Sequence, residues 1–326
     1  GTITGRSAAG DTVGVAHQAE WIASATCDHP QGGGIEGTIQ LLFEGFEWAV
    51  DPDGDPGTMD DVPDVISNSW GIPHGYRPQC DETYYDVIDN CEAAGSFVVF
   101  AAGNEAFQGL RSPAARATNI YSTFSVGALD ISNPNNPTVA SFSSRGPSTC
   151  TGDPVLQIKP DISAPGVNIY SSVPGGGYQG GWSGTSMACP HIAGVVALMR
   201  SANPGIDVTA MKQIIFDTAV DIDSPGDDNN TGMGLIDAYT AVILAMHGHG
   251  EVAGLVVDET NEVLQARIGV QGGEQFAEAD ESGHYSIILP VGSGGDSTYT
   301  LIASHFGYED SYSAVNVTMN ESDLLA

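Results

Sequence analysis

Gly184-Thr185-Ser186-Met187-Ala188-Cys189-Pro190-His191-Ile192-Ala193-Gly194 sets a serine on a glycine-bordered turn, directly ahead of an apolar helical run of Ile192, Val195, Val196, Leu198 and Met199. A serine at a helix start can point its hydroxyl out of the turn, with unpaired backbone N–H groups beside it. Those donors and the positive end of the helix dipole suit an anion forming on a carbonyl oxygen. Pro190 fits a first helical turn, where an N–H has no intrahelical partner to lose. Taken alone, Gly-Thr-Ser is equally an ordinary helix cap.

Working outward, Ser96-Phe97-Val98-Val99-Phe100-Ala101-Ala102-Gly103-Asn104-Glu105 reads as a buried strand that ends in a small-residue turn. A continuous apolar run suits a parallel strand covered on both faces. Ligands in such sheets bind beyond the carboxyl ends of the strands, where Asn104 falls. Its amide could donate to a developing oxyanion, or it could be a turn asparagine that tolerates left-handed backbone.

The two strings together resemble the subtilisin-like serine proteases (subtilases, peptidase family S8), whose nucleophile segment is G-T-S-M-A-x-P-H-x-A-G. The G-x-S-x-G elbow of α/β-hydrolases does not match, because residue 188 is Ala. The resemblance implies Ser186 as acylating nucleophile and Asn104 as oxyanion donor, with His191 a packed structural histidine. It continues through Asp64–Gly71, Ala140–Pro147, Lys159–Gly166, Ser171–Gly175 and Gly232–Ala238, nearly to residue 245, and resembles the bacillopeptidase F branch. It implies polypeptide substrates held along Ser69-Trp70-Gly71 and Ala101-Ala102-Gly103. It also implies a three-layer α/β fold with a parallel sheet, incomplete at its N-terminus, over residues 1–247.

The family orders its triad Asp, His, Ser. Its histidine lies in H-G-T-H-x-x-G-T, of which only Gly1-Thr2 is present, so histidine and aspartate are expected upstream of residue 1. No substitute is legible. His17, His29 and His74 fall in loops, His247 and His249 in a linker, and Asp53-Gly54 follows no apolar strand. The 326 residues alone are therefore expected to be inactive, since a serine without a base is a weak nucleophile. The alternative is a degenerate scaffold or binding module.

The net charge of −32, from 41 acidic against 9 basic residues, argues against nucleic acid and anionic membranes as partners. No apolar stretch is long enough to span a bilayer. Family and composition together imply an extracellular protein; solvated carboxylates in such excess suit a salty medium and equally an ordinary acidic secreted protein. Of the cysteines, Cys189 reads as a buried thiol. Cys80 could bridge Cys91 or leave it as core, and Cys27 could pair with Cys150.

Ile35, Ile39, Leu42, Phe46 and Ala49 predict an amphipathic helix between strands at 19–23 and 62–69. Asp207 caps a helix carrying Met211, Ile214, Ile215 and Thr218, and 238–246 forms a short apolar helix. The chemistry implied needs no cofactor. Structural calcium is open at two acidic loops, 51–61 and 221–230, neither of which fits an EF-hand. Beyond 250, short strand-like runs predict an antiparallel β-sandwich over 250–326. Gly254–Asp258, Asp280–Tyr285 and Ala303–Tyr308 resemble carboxypeptidase regulatory-like (transthyretin-like) modules.

The resemblance also puts Arg111 near the primary specificity pocket. A guanidinium there would favour an acidic substrate residue, unless one of the many carboxylates pairs with it first.

Overall fold

The computed structural model describes the chain except for residues 7–9, 11, 27–33, 56, 248, 259, 272–275, 292–295, 306–307 and 319–326. Cys27 and His29 lie outside the described residues. The chain divides into two compact units, Gly1–Ser201 with Asp207–Ala238, and Ala202–Ile206 with Tyr239–Ala326.

In the first unit, α1 (Gly34–Ala49), β1 (Val65–Asn68), α2 (Tyr85–Ala93), β2 (Phe97–Ala101) and β3 (Phe124–Asp130) are followed by β4 (Thr138–Val139) and β5 (Ile162–Pro165). A β6–β7 hairpin (Ile169–Val173, Gly177–Trp182) then leads into α3 (Thr185–Ala202), and α4 (Val208–Thr218) closes the series. Strands β1, β2, β3 and β5 pair in parallel, with β4 antiparallel to β3.

Every residue of β2 is buried, as a strand covered on both faces requires. The period of two sends Val98 and Phe100 to one face, where they pack with Leu42 and Phe46 of α1 and Val87, Ile88 and Cys91 of α2. Phe97 takes the other face, edge-on to Phe124, which stacks on Phe216 of α4. These are the three layers of an α/β sandwich. At the start of α4, Asp207 accepts from the Ala210 N–H at 2.8 Å, which is the expected cap.

Several expectations change. Residues 19–23 join no ladder, and Trp21 and Ile22 are exposed, because no described strand pairs with them. Cys80 is bonded to Cys150, with Cα atoms 5.1 Å apart, rather than to Cys91. The reason is local: α2 starts only at Tyr85, so Cys80 sits in a turn outside the helix. Cys91 faces inward, its Sγ 3.7 Å from the Phe46 carbonyl, and burial pushes its thiol up to about 12. Lys159 and Lys212, the chain's two lysines, are both buried in ion pairs, with Asp161 and Glu92 respectively.

Besides Ala202–Ile206, the second unit holds most of α5 (Ala238–His247) and continues in β8 (His249–Leu255), β9 (Arg267–Val270), β10 (Phe276–Glu278), β11 (His284–Pro290), β12 (Asp296–Ser304) and β13 (Ser311–Thr318). All pairs are antiparallel, in a sheet of order β10-β9-β12-β13 and a β11-β8 pair. Ile268, Leu301 and Val317 of the larger sheet share one core with Ile287 and Leu289 of the smaller, which makes the pair a sandwich. Strands β10 and β13 are additions to those expected.

Candidate active site

The site forms where β1 and β2 end and α3 begins. Gly184 precedes the helix and Ser186 is its second residue, so its backbone N–H lies in the first turn, where intrahelical partners are lacking. Pro190 lies one turn later than a first-turn proline would. Without an N–H it cannot bond the carbonyl four residues back, that of Ser186. Ser69 Oγ supplies the missing donor, at 2.9 Å from the Ser186 carbonyl oxygen. In return Ser186 Oγ donates to the Ser69 carbonyl at 3.1 Å. This reciprocal pair ties the end of β1 to the start of α3 and keeps the Ser186 hydroxyl half-exposed.

Asn104 follows the carboxyl end of β2, as expected. Its Oδ1 accepts from the Thr185 N–H at 2.9 Å and from Thr185 Oγ1 at 3.1 Å. The buried Thr185 hydroxyl also lies 3.1 Å from the Gly103 carbonyl and 3.2 Å from the Gly103 N–H. The Thr185 N–H holds the amide oxygen, and the single hydroxyl proton of Thr185 is shared between that oxygen and the Gly103 carbonyl, an arrangement that orients the amide so that Nδ2 is left to donate outward. Nothing in Gly-Thr-Ser announces this role for Thr185, because its partners Gly103 and Asn104 lie some eighty residues away in sequence.

The expected substrate segments flank these groups. Ser69 is exposed, and Gly71 lies against Arg111. The Trp70 indole is turned away into the aromatic cluster of Phe46, Tyr84 and Phe100, so only its backbone faces the site. Ala101, Ala102 and Gly103 are buried, and their backbone groups are partly used: Ala102 donates to Val126 and accepts from Arg111.

His191 is held inside the helix, with Nδ1 2.9 Å from the Met187 carbonyl, and burial lowers its pKa. It is a packed histidine, neutral at pH 7. Burial raises the Cys189 thiol to about 12, so it is no rival nucleophile. Arg111 is paired: its Nε lies 3.0 Å from both oxygens of Glu105. Burial would raise the Glu105 pKa, but hydrogen bonding and charge from Arg111, with donors from Asn104 and Ser144, bring it below the usual range. Sequence reasoning missed Glu105 because nothing in the string relates it to a residue six positions on.

The two acidic loops differ. At 221–230 the carboxylates serve the loop's own donors, with Asp221 accepting from Gly226 N–H, Asp223 from the Asn230 amide and Asp228 from Asn230 and Thr231 N–H. At 51–61, Asp51, Asp53 and Asp61 bring carboxylate oxygens within 4.8 Å of one another. There Asp51 Oδ1 and Asp61 Oδ1 are covered and have no hydrogen-bond partner. Hard oxygen ligands of this kind suit calcium. Among the described residues, no helix is long and apolar enough to cross a membrane.

Comparison with known proteins agrees with this geometry. Residues 1–234 match the Subtilase family. Bacillopeptidase F of Bacillus subtilis (strain 168) is 38% identical over 301 residues, which cover 89% of this chain and 19% of that protein. Subtilisin E of the same strain is 33% identical over 241 residues, 74% of this chain and 54% of that protein. Among solved structures, Sphericase superposes with a TM-score of 0.51 at 28% identity, covering 61% of this chain and 63% of its own. The chain thus spans about a fifth of the first relative's length and about half of the second's.

Proposed function

The chain belongs to the subtilase family, and from that premise we propose that it is the nucleophile-bearing part of a serine endopeptidase acting on polypeptides. Ser186 Oγ attacks the scissile carbonyl, and the oxyanion is held by Asn104 Nδ2 and by the Ser186 N–H at the helix start. The acyl-enzyme forms as the C–N bond breaks and the amine leaves with a proton, and water then hydrolyses the ester. The substrate backbone lies along Ser69–Gly71 and Ala101–Gly103. The observation that carries this reading is the hold of Thr185 on Asn104 Oδ1, by its N–H and by a hydroxyl shared with the Gly103 carbonyl, which orients the amide for donation beside the nucleophile.

The base and its carboxylate come, in this reading, from sequence outside these 326 residues. Here the Ser186 hydroxyl donates to a backbone carbonyl instead of a ring nitrogen, and in this reading these residues alone do not turn over a substrate. That same bond is what favours the second reading, a scaffold without chemistry. A fluorophosphonate probe distinguishes them. Full-length protein should label at Ser186, and Ser186→Ala should abolish labelling; an unlabelled full-length protein supports the scaffold.

Three further parts belong to the proposal. The peptidase domain runs over 1–247 and an accessory β-sandwich over 250–326. The protein acts outside the cell, where the Cys80–Cys150 disulfide would persist. A structural calcium sits on Asp51, Asp53 and Asp61 and plays no part in the chemistry. Thermal melts with added calcium or chelator test it, and an unchanged midpoint rejects it.

A further inference from the structure

A cavity of about 180 Å³ opens in the first unit, away from the nucleophile. Asn119 and Ile120 bound it just ahead of β3, and Lys159 and Asp161 just ahead of β5. Phe216 of α4 and Asp227 and Met233 of the loop after α4 close it. Strands β1, β2, β3 and β5 run in parallel, so the cavity lies at the amino ends of the sheet. Ser69 and Asn104 follow the carboxyl ends of β1 and β2, where Ser186 joins them. The two places are on opposite edges of one sheet.

The lining is divided. Ile120, Val155, Leu156, Ile158, Phe216 and Met233 make apolar walls, and Ile120 and Val155 remain 50% and 64% exposed. The polar side carries three carboxylates, Asp161, Asp217 and Asp227, and one cation, Lys159. That cation is committed. Its Nζ donates to both oxygens of Asp161, at 2.8 and 2.6 Å, and to the Thr123 and Ser122 carbonyls, at 3.2 and 3.4 Å. An ammonium has three N–H groups, so Lys159 has none left for a ligand. Asp217 accepts from the Gln213 amide at 2.6 Å. Asp227 has no ion-pair partner among the described residues. Burial, then the charges of Asp161 and Asp228, raise its pKa to about 6, as for a carboxylate that lacks a cation of its own.

We propose that this cavity binds a primary alkylammonium of about the length of a lysine side chain, with its methylenes along the apolar walls and its head at Asp227. The space equals roughly six water molecules of liquid, enough for a stem of four or five carbons and its nitrogen. An anion would meet like charge and no free donor. An uncharged chain would leave Asp227 without a cation. A bare metal ion would face walls that supply no ligand oxygens. An alkylammonium covers its stem and pairs its head at once. A free amine and the lysine of a bound polypeptide share this chemistry. No reacting group lies in the cavity, so binding there stands whether or not the chain is a peptidase.

The test uses full-length protein carrying Ser186→Ala, which cannot cut a peptide, and ligand-observed NMR titration at about pH 8. The probes are n-pentylamine, n-pentanol, ammonium chloride and a blocked Gly-Lys-Gly tripeptide. Pentylamine should bind roughly tenfold more tightly than pentanol or ammonium ion. Asp227→Asn should weaken it about fivefold. Lowering the pH to about 5 should weaken it similarly, because Asp227 gains a proton while the amine keeps its own. Asp161, Asp217, Asp228 and Lys159 also face this group, so the same pH series on Asp227→Asn, which should be flat, isolates its part. Tripeptide binding that matches pentylamine makes a polypeptide lysine the source, and pentylamine binding alone makes it a free amine; both support the site. Pentylamine no tighter than pentanol or ammonium ion overturns the proposal, and that comparison decides even if the variant fails to fold. Equal pentylamine affinity in folded Asp227→Asn protein overturns it as well.

Discussion

Asp161 in the first unit and Asp280 in the second each gather several donors, Asp161 from Ser125 and Lys159 and Asp280 from its own turn, in different surroundings. Asp161 is buried. It accepts from the Ser125 N–H at 2.7 Å, from Ser125 Oγ at 2.6 Å and from Lys159 Nζ at 2.6 Å. Lys159 in turn reaches the carbonyls of Ser122 and Thr123, at 3.4 and 3.2 Å. Asp280 is exposed and accepts from the Ser282 and His284 N–H groups, closing the turn into β11. The same side chain organises a core at one place and shapes a hairpin at the other. Burial and a committed cation make the difference.

The largest expected effect breaks the buried member. Lys159→Met leaves Asp161 charged and without its cation, and should cost about 3–5 kcal/mol of the first unit's stability in urea unfolding. Asp280→Ala should leave that transition where it was; equal losses would erase the contrast. Next come the polar groups at the nucleophile. Asn104→Ala in full-length enzyme should lower kcat by about 10²–10³, the size known for oxyanion donors of this protease class rather than one derived from this geometry. Thr185→Val keeps the amide but frees its oxygen from the hydroxyl, and should cost roughly tenfold. A Thr185→Val enzyme with unchanged kcat would mean the clamp is not what orients Asn104.

Smaller effects sharpen the electrostatic side. Both lysines are buried in ion pairs, so no lysine is left on the surface to offset the carboxylates. Added salt should raise the unfolding midpoint by screening their repulsion, and a midpoint that falls with salt contradicts this. Asp227 gives a pH signature. Burial first, then the charges of Asp161 and Asp228, raise it from 3.8 to about 6. The folded form thus holds that proton more firmly than the unfolded chain. Its stabilisation is complete below about pH 4 and is lost as pH rises through about 6. Asp227→Asn should flatten that slope by a small amount, because the partly desolvated side chain still meets solvent, and a steeper slope in the variant would reverse the sign.

What the sequence disclosed follows the range of the interactions. The all-buried β2, the Asp207 cap and the nucleophile turn are written in contiguous residues, so their pattern is local. The partners of Thr185, Arg111 and Cys80 are set by chain segments that meet only after folding. Cys80 and Cys91 both flank an apparent helix in the sequence, a spacing that suggests a pair. The late start of α2 at Tyr85 turned Cys80 toward Cys150 instead. The segment 19–23 looked like a strand by composition, but strands need a partner, which composition does not supply. The shift of Pro190 into the second helical turn shows the same limit, since the bond it removes is compensated by Ser69, far away in sequence.

The proposed function makes Ser186 a nucleophile that needs a base outside these residues. Quantitative fluorophosphonate labelling of the 326-residue chain beside the full-length protein tests it most directly. The account predicts rapid, Ser186-dependent labelling of the full-length protein and little or none of the shorter chain. Robust labelling of the 326 residues alone would contradict it, because a base would then have to lie among them.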